Sequence, residues 1–161
     1  GGHVFGAAGR LHGDIQTRRE RTEVLDQLFR EITEVEACFK PAPNEWSVNE
    51  SLAHLLLGEH WNQFRIIELV SGHERWSDGF GDNEPAQINA ALAAYPSFSD
   101  MYTELKRSYL ATVTLVAGLP GEFPQKRKAS YWRMAYNFLQ PDYHLGEHLE
   151  QMRAALQAAR K

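Results

Sequence analysis

Four long stretches of this chain carry apolar residues at three- and four-residue steps, and almost nowhere do apolar and polar residues alternate as a strand requires. That pattern restricts the fold to packed amphipathic helices. The first stretch follows Asp14, a candidate N-cap, carries Leu25, Leu28, Phe29, Ile32 and Phe39 as one helix, and is stopped by Pro41 and Pro43. The second opens on Ser47 with Glu50 three residues on, the spacing of a reciprocal capping box. It continues through Leu52, Leu55, Leu56, Ile66 and Val70 to Ser71-Gly72. The third is capped by Ser97 with Asp100 at N3, and its stripe is Met101, Leu105, Tyr109, Thr112 and Val116, ending at Gly118-Leu119-Pro120. The fourth starts at Pro141 with Asp142 at the positive end of the helix dipole, and carries Leu145, Leu149, Met152 and Leu156.

Four such helices pack most simply as an all-α four-helix bundle. The short turn at residues 41–46 makes the first two helices antiparallel neighbours. The connector at 72–96 is long enough to run back along the bundle and leave the second and third helices parallel. Within it, Pro85 to Tyr95 forms a short extra helix, and Trp76 to Asn83 is rich in turn formers. A chain of 161 residues with 43% hydrophobic content suits one domain. Residues 14–161 are assigned to it, and residues 1–13 to a poorly structured leader or cloning remnant.

Partners are bounded by charge. Lys and Arg total 17 against 21 Asp and Glu, a formal charge of -4, which removes the electrostatic case for nucleic acid or an anionic membrane surface. The longest clear apolar run, Leu55-Leu56-Leu57, is far below the roughly 20 residues that span a bilayer. Cys38 is the single cysteine, so no intrachain disulfide forms and a cytoplasmic location is expected, with Cys38 small and buried.

The chemistry lies in the histidines. His144 and His148 are four apart on the fourth helix and project from one face beside Leu145 and Leu149. His54 has the same apolar setting between Leu52, Leu55 and Leu56. Three inward imidazoles on two helices plus an open position match the ligand count of catalytic zinc sites; ordinary core or surface histidines are the alternative. His60 points to another face, His73 falls in a loop, and His3 and His12 belong to the leader.

The segment Asn44 to Leu55, with Trp46-Ser47 followed by His54 after six residues, resembles a signature of the DinB superfamily (DinB/YfiT-like proteins), and His144 to Arg153 resembles its second signature. The resemblance implies a four-helix bundle with a long crossover between the second and third helices. It also implies one divalent metal ion on His54, His144 and His148, and a homodimer as a common state; imidazole ligands suit Zn, Ni, Cu, Fe and Co, of which Zn or Ni is placed first. Pro141 and the segment from Asn137 to Tyr143 depart from the smooth helical approach the family leads one to expect.

His144-x-x-Glu147-His148 also fits the inverted zinc-peptidase signature with Glu147 as general base, but His54 already supplies a third nitrogen ligand from upstream. Glu147 is therefore carried as a candidate base or ligand-orienting carboxylate, against the plain reading of a solvated helix residue. Glu50 is occupied by the capping box, and Glu59 orients a ligand or forms an ion pair. Lys126-Arg127-Lys128 reads as a solvated loop that could receive an anionic substrate. Trp46 anchors the turn before the second helix, Trp61 and Trp76 could line the site mouth, and Trp132 precedes the fourth helix, with core or interface packing the default for all four.

Characterised relatives in that superfamily include thiol-dependent isomerases and S-transferases that use low-molecular-weight thiols, and others described as metal-dependent hydrolases. The expected function is a metal-dependent enzyme that activates a thiol or water for a small-molecule substrate, with S-transfer ahead of hydrolysis. The competing reading is a non-catalytic, stress-related binding or dimerisation module whose metal is structural or adventitious.

Overall fold

Polar caps decide where these helices begin. The computed structural model describes residues 19–70, 83–118 and 143–161, all helix or short connection, with no strand among them. Among the described residues, six helices run in the order α1 (residues 19–28), α2 (Glu34–Cys38), α3 (Val48–Val70), α4 (Pro85–Ala94), α5 (Phe98–Ala117) and α6 (Tyr143–Ala159). The expected domain start at residue 14, the helix opening at Pro141 and Asp142, the stop at Ser71-Gly72 and the turn-rich stretch from Trp76 through Asp82 lie outside the described residues.

The first helix is the main correction. In place of one helix from the N-terminal region to Phe39, the chain breaks after residue 28, turns through residues 29–31 and restarts as α2. Two local causes are visible. Glu31 has a left-handed φ of 62°, which helices use to stop. Thr33 then caps α2: its Oγ1 accepts from the Glu36 backbone N–H at 3.2 Å, while the Glu36 carboxylate accepts from the Thr33 N–H at 2.8 Å. The apolar period running across this break masked it in the sequence. Cys38 is exposed rather than buried, because α2 ends there, and its Sγ accepts from Asn49 Nδ2 at 3.4 Å.

The other caps form as expected. Ser47 Oγ accepts from the Glu50 N–H and Glu50 accepts from the Ser47 N–H, both at 3.1 Å, which starts α3 at Val48. Lys40 adds an ion pair to the same Glu50. Ser97 Oγ accepts from the Asp100 N–H at 3.0 Å to start α5, and Pro85 opens α4.

Helix directions follow from contacts. Glu34 accepts from the Phe98 N–H at 2.8 Å, Glu36 pairs with Arg160 at 2.7 Å, and Cys38 and Lys40 meet Asn49 and Glu50. Thus α2 ties together the start of α3, the start of α5 and the end of α6. It follows that α3 and α5 run parallel, while α6 runs against both. Gln63 agrees: well along α3, its Nε2 donates to Ser108 Oγ at 2.9 Å and Thr112 Oγ1 at 3.2 Å, equally far along α5. Next to α5, α1 is antiparallel, since Asp26 meets Tyr102 and Lys106 while Phe29 meets Phe98.

The core gathers Leu25, Leu52, Leu56, Met101, Leu105 and Met152, each 0–1% exposed. Fully burying a Leu or Met contributes roughly 1.5–3 kcal/mol, so these residues add substantially to the cohesion between helices. Phe29 packs edge-on to Phe98 and Tyr102 at 5.1 and 5.2 Å between centroids. Burial, then the Asp26 hydrogen bond, holds the Tyr102 phenol above its ordinary range, so it donates at any working pH. The stripe expected for α5 is buried throughout, as are Leu52, Leu56 and Ile66 of α3 and Met152 and Leu156 of α6.

Two outcomes test this account. Replacing Glu31 by Gly removes a left-handed penalty of about 1–2 kcal/mol at an entropic cost of about 0.5–1, so Glu31→Gly raises the unfolding free energy by about 0.5–1 kcal/mol in urea titration. The Arg160 hydrogen bond, then the Thr33 backbone N–H, holds the Glu36 carboxyl below its ordinary 4.5. A depressed carboxyl contributes stability above its unfolded value and loses it as pH falls through the folded one. The stability difference between wild type and Arg160→Ala is therefore present above pH 4.5 and vanishes below it, read by urea titration across that window.

Candidate metal centre

The capping box at Ser47 and Glu50 fixes the start of α3, and with it the direction in which each later side chain leaves the helix. At about 100° per residue, Leu52, Leu56, Gln63 and Ile66 share the side turned to α5, and His54 falls on the opposite side. There it meets α6: the His54 and His148 rings lie 4.5 Å apart between centroids at 55°. His54 is 5% exposed, and His148 is half-buried.

Trp46, just before the cap, completes an aromatic trio. Its ring lies 5.1 Å from His54 and 6.1 Å from His148, within 18° of the His148 plane. Trp46 thus covers both imidazoles as well as anchoring the turn. Gln151, one turn beyond His148 on α6, places Oε1 3.0 Å from His148 Nδ1. Sequence reasoning passed over Gln151, because a polar residue beside a helix stripe looks like any solvated one.

The two described imidazoles suit a shared cation. With metal–nitrogen distances of about 2.0–2.1 Å, two imidazoles on one tetrahedral ion have centroids about 5 Å apart, close to what is found here. Of the third expected ligand, His144, the backbone belongs to α6 one turn before His148; its side chain lies outside the described ones, as does that of Leu145. Among the described residues no cluster of three His, Cys, Asp or Glu side chains forms.

The remaining candidates separate by burial. Glu147 is exposed on α6, next in sequence to His148 and so turned away from it. His60 is exposed on α3. Glu59 is buried, 4% exposed, on the α5 side of α3 rather than beside His54. Glu50 serves the cap and Lys40. Trp61 stacks on Phe64 at 5.7 Å. His3, His12, His73, Trp76, Lys126-Arg127-Lys128 and Trp132 lie outside the described residues. The chain matches no family model, no curated protein and no solved structure.

Proposed function

We propose that this chain is a DinB-like four-helix bundle, built from α1, α3, α5 and α6 with α4 in the crossover, that holds one divalent metal ion on His54, His144 and His148. The observation that carries the reading is the meeting of His54 and His148 from two antiparallel helices at 4.5 Å under Trp46. The parallel course of α3 and α5 supports the long crossover. Zn or Ni suits a set of imidazoles.

A divalent cation on three neutral ligands supplies positive charge that lowers the pKa of a coordinated thiol or water, giving a nucleophile near neutral pH. The chain's own contributions are positional. Buried His54 gives a fixed donor, and half-buried His148 leaves that side of the centre open to solvent. Trp46 shields the imidazoles and supplies an apolar wall for a small substrate. Glu147, at the exposed rim of α6, enters the reading as a carboxylate that a bound substrate could meet. The reaction class that follows is transfer of a low-molecular-weight thiol, with hydrolysis second. A homodimer belongs to the proposal as well. No helix among the described residues is long and apolar enough to cross a membrane.

Elemental analysis of untagged protein tests the centre. Wild type carries about one equivalent of metal per chain, and the His144→Ala, His148→Ala double variant carries little. His54→Ala behaves likewise, whereas Glu147→Gln keeps its metal, because that exposed carboxylate is turned away from His148. A wild type that takes up neither Zn nor Ni on titration ends the reading.

A further inference from the structure

We propose that Gln151 is a positioning residue that fixes the tautomer of His148 and leaves Nε2 as the ring's donor atom; the inference rests on the metal-site reading above. The geometry is local to α6. Gln151 follows His148 by three residues, so both side chains leave the same face. Gln151 Oε1 lies 3.0 Å from His148 Nδ1 in a half-buried position, where bulk water competes weakly for either group.

An amide oxygen only accepts, so this contact places the proton on Nδ1. A neutral imidazole carries one N–H, and its lone pair is then on Nε2. Packing selects the same arrangement: with Trp46 nearly parallel to the ring and His54 4.5 Å from it, rotating the ring by a half-turn would put a C–H where the Nδ1–H now meets Oε1. A metal-ligating histidine commonly donates its second N–H to an oxygen, which sets both tautomer and ring direction. Here the acceptor is a neutral amide instead of a carboxylate. It orients His148 without adding negative charge, so a cation held there keeps more of its acidifying power.

The test uses the full-length protein, free of metal and labelled with nitrogen-15. At a pH of about 9, where free imidazole is neutral, long-range proton–nitrogen correlation identifies the His148 tautomer, assigned by the signal lost in His148→Ala. Wild type shows Nδ1–H. Gln151→Leu, with the same helical circular dichroism as wild type, shifts His148 toward Nε2–H and weakens Zn binding in a chelator competition by about 10–100-fold. Gln151→Glu, which keeps an acceptor oxygen, retains the Nδ1–H signal and restores Zn affinity. An Nε2–H tautomer in wild type, or a Gln151→Leu variant with unchanged tautomer and affinity, overturns the proposal. The Nδ1–H signature in a chain that binds neither Zn nor Ni supports the tautomer assignment and overturns the metal reading alone.

Discussion

The rotational phase of α3 is the constraint on which the rest of the molecule depends. This helix meets α5 along one side and α6 along the other, and a one-residue slip in its start would turn every side chain by about 100°. The capping box prevents that slip: the Ser47 hydroxyl and the Glu50 carboxylate each satisfy a backbone N–H that a displaced start would leave exposed. With Val48 as the first helical residue, Leu52 and Leu56 enter the core and His54 is delivered to α6. The α3–α5 seam is apolar near the helix starts and polar further along, where Gln63 reaches Ser108 and Thr112. That polar stretch also resists slippage, because Gln63 finds its acceptors in one register only.

A second restraint acts at the helix ends. The five residues of α2 have little core of their own; Ala37 is their buried member. Their importance lies in Glu34 at the start of α5, Glu36 against Arg160 at the end of α6, and Cys38 beside Asn49 at the start of α3. Exposed pairs of this kind each contribute little, on the order of 0–1 kcal/mol. Their value is positional, since three helix ends are referred to one short segment. His54 lies six residues into α3, about 9 Å from the end that α2 ties down.

Much of the architecture was legible because caps and stripes coincide. Ser47 with Glu50, Ser97 with Asp100, and Pro85 each open a helix where expected. The error at the first helix has the opposite cause. Leu25, Leu28, Phe29, Ile32 and Phe39 keep a helical period across a break set by one left-handed residue, Glu31, for which the sequence offers no glycine or asparagine as a sign. Thr33 and Glu36 did carry a signal, a capping box inside an apparent helix, and it was outweighed by the apolar period. Cys38 followed the same error, since burial was inferred from residue type and not from its place at the end of a five-residue helix. At the site, His54 and His148 were legible through the resemblance and through their apolar neighbours. The covering ring of Trp46 was not, because it depends on how α6 lies against α3, and the contact to Gln151 was not, because a polar residue one turn from a histidine looks like any solvated one.

The two imidazoles at the candidate centre differ in burial and in how each ring is held. A histidine in the interior brings two ring nitrogens that each require a partner, whereas a leucine in the same space would pack with no such demand. At 5% exposure His54 carries that demand in full, and the neighbouring rings of Trp46 and His148 hold it with little freedom. His148 is half-buried, and its contact with Gln151 on the same helix restricts the rotation of its ring. One donor is therefore immobilised by packing and the other by a hydrogen bond.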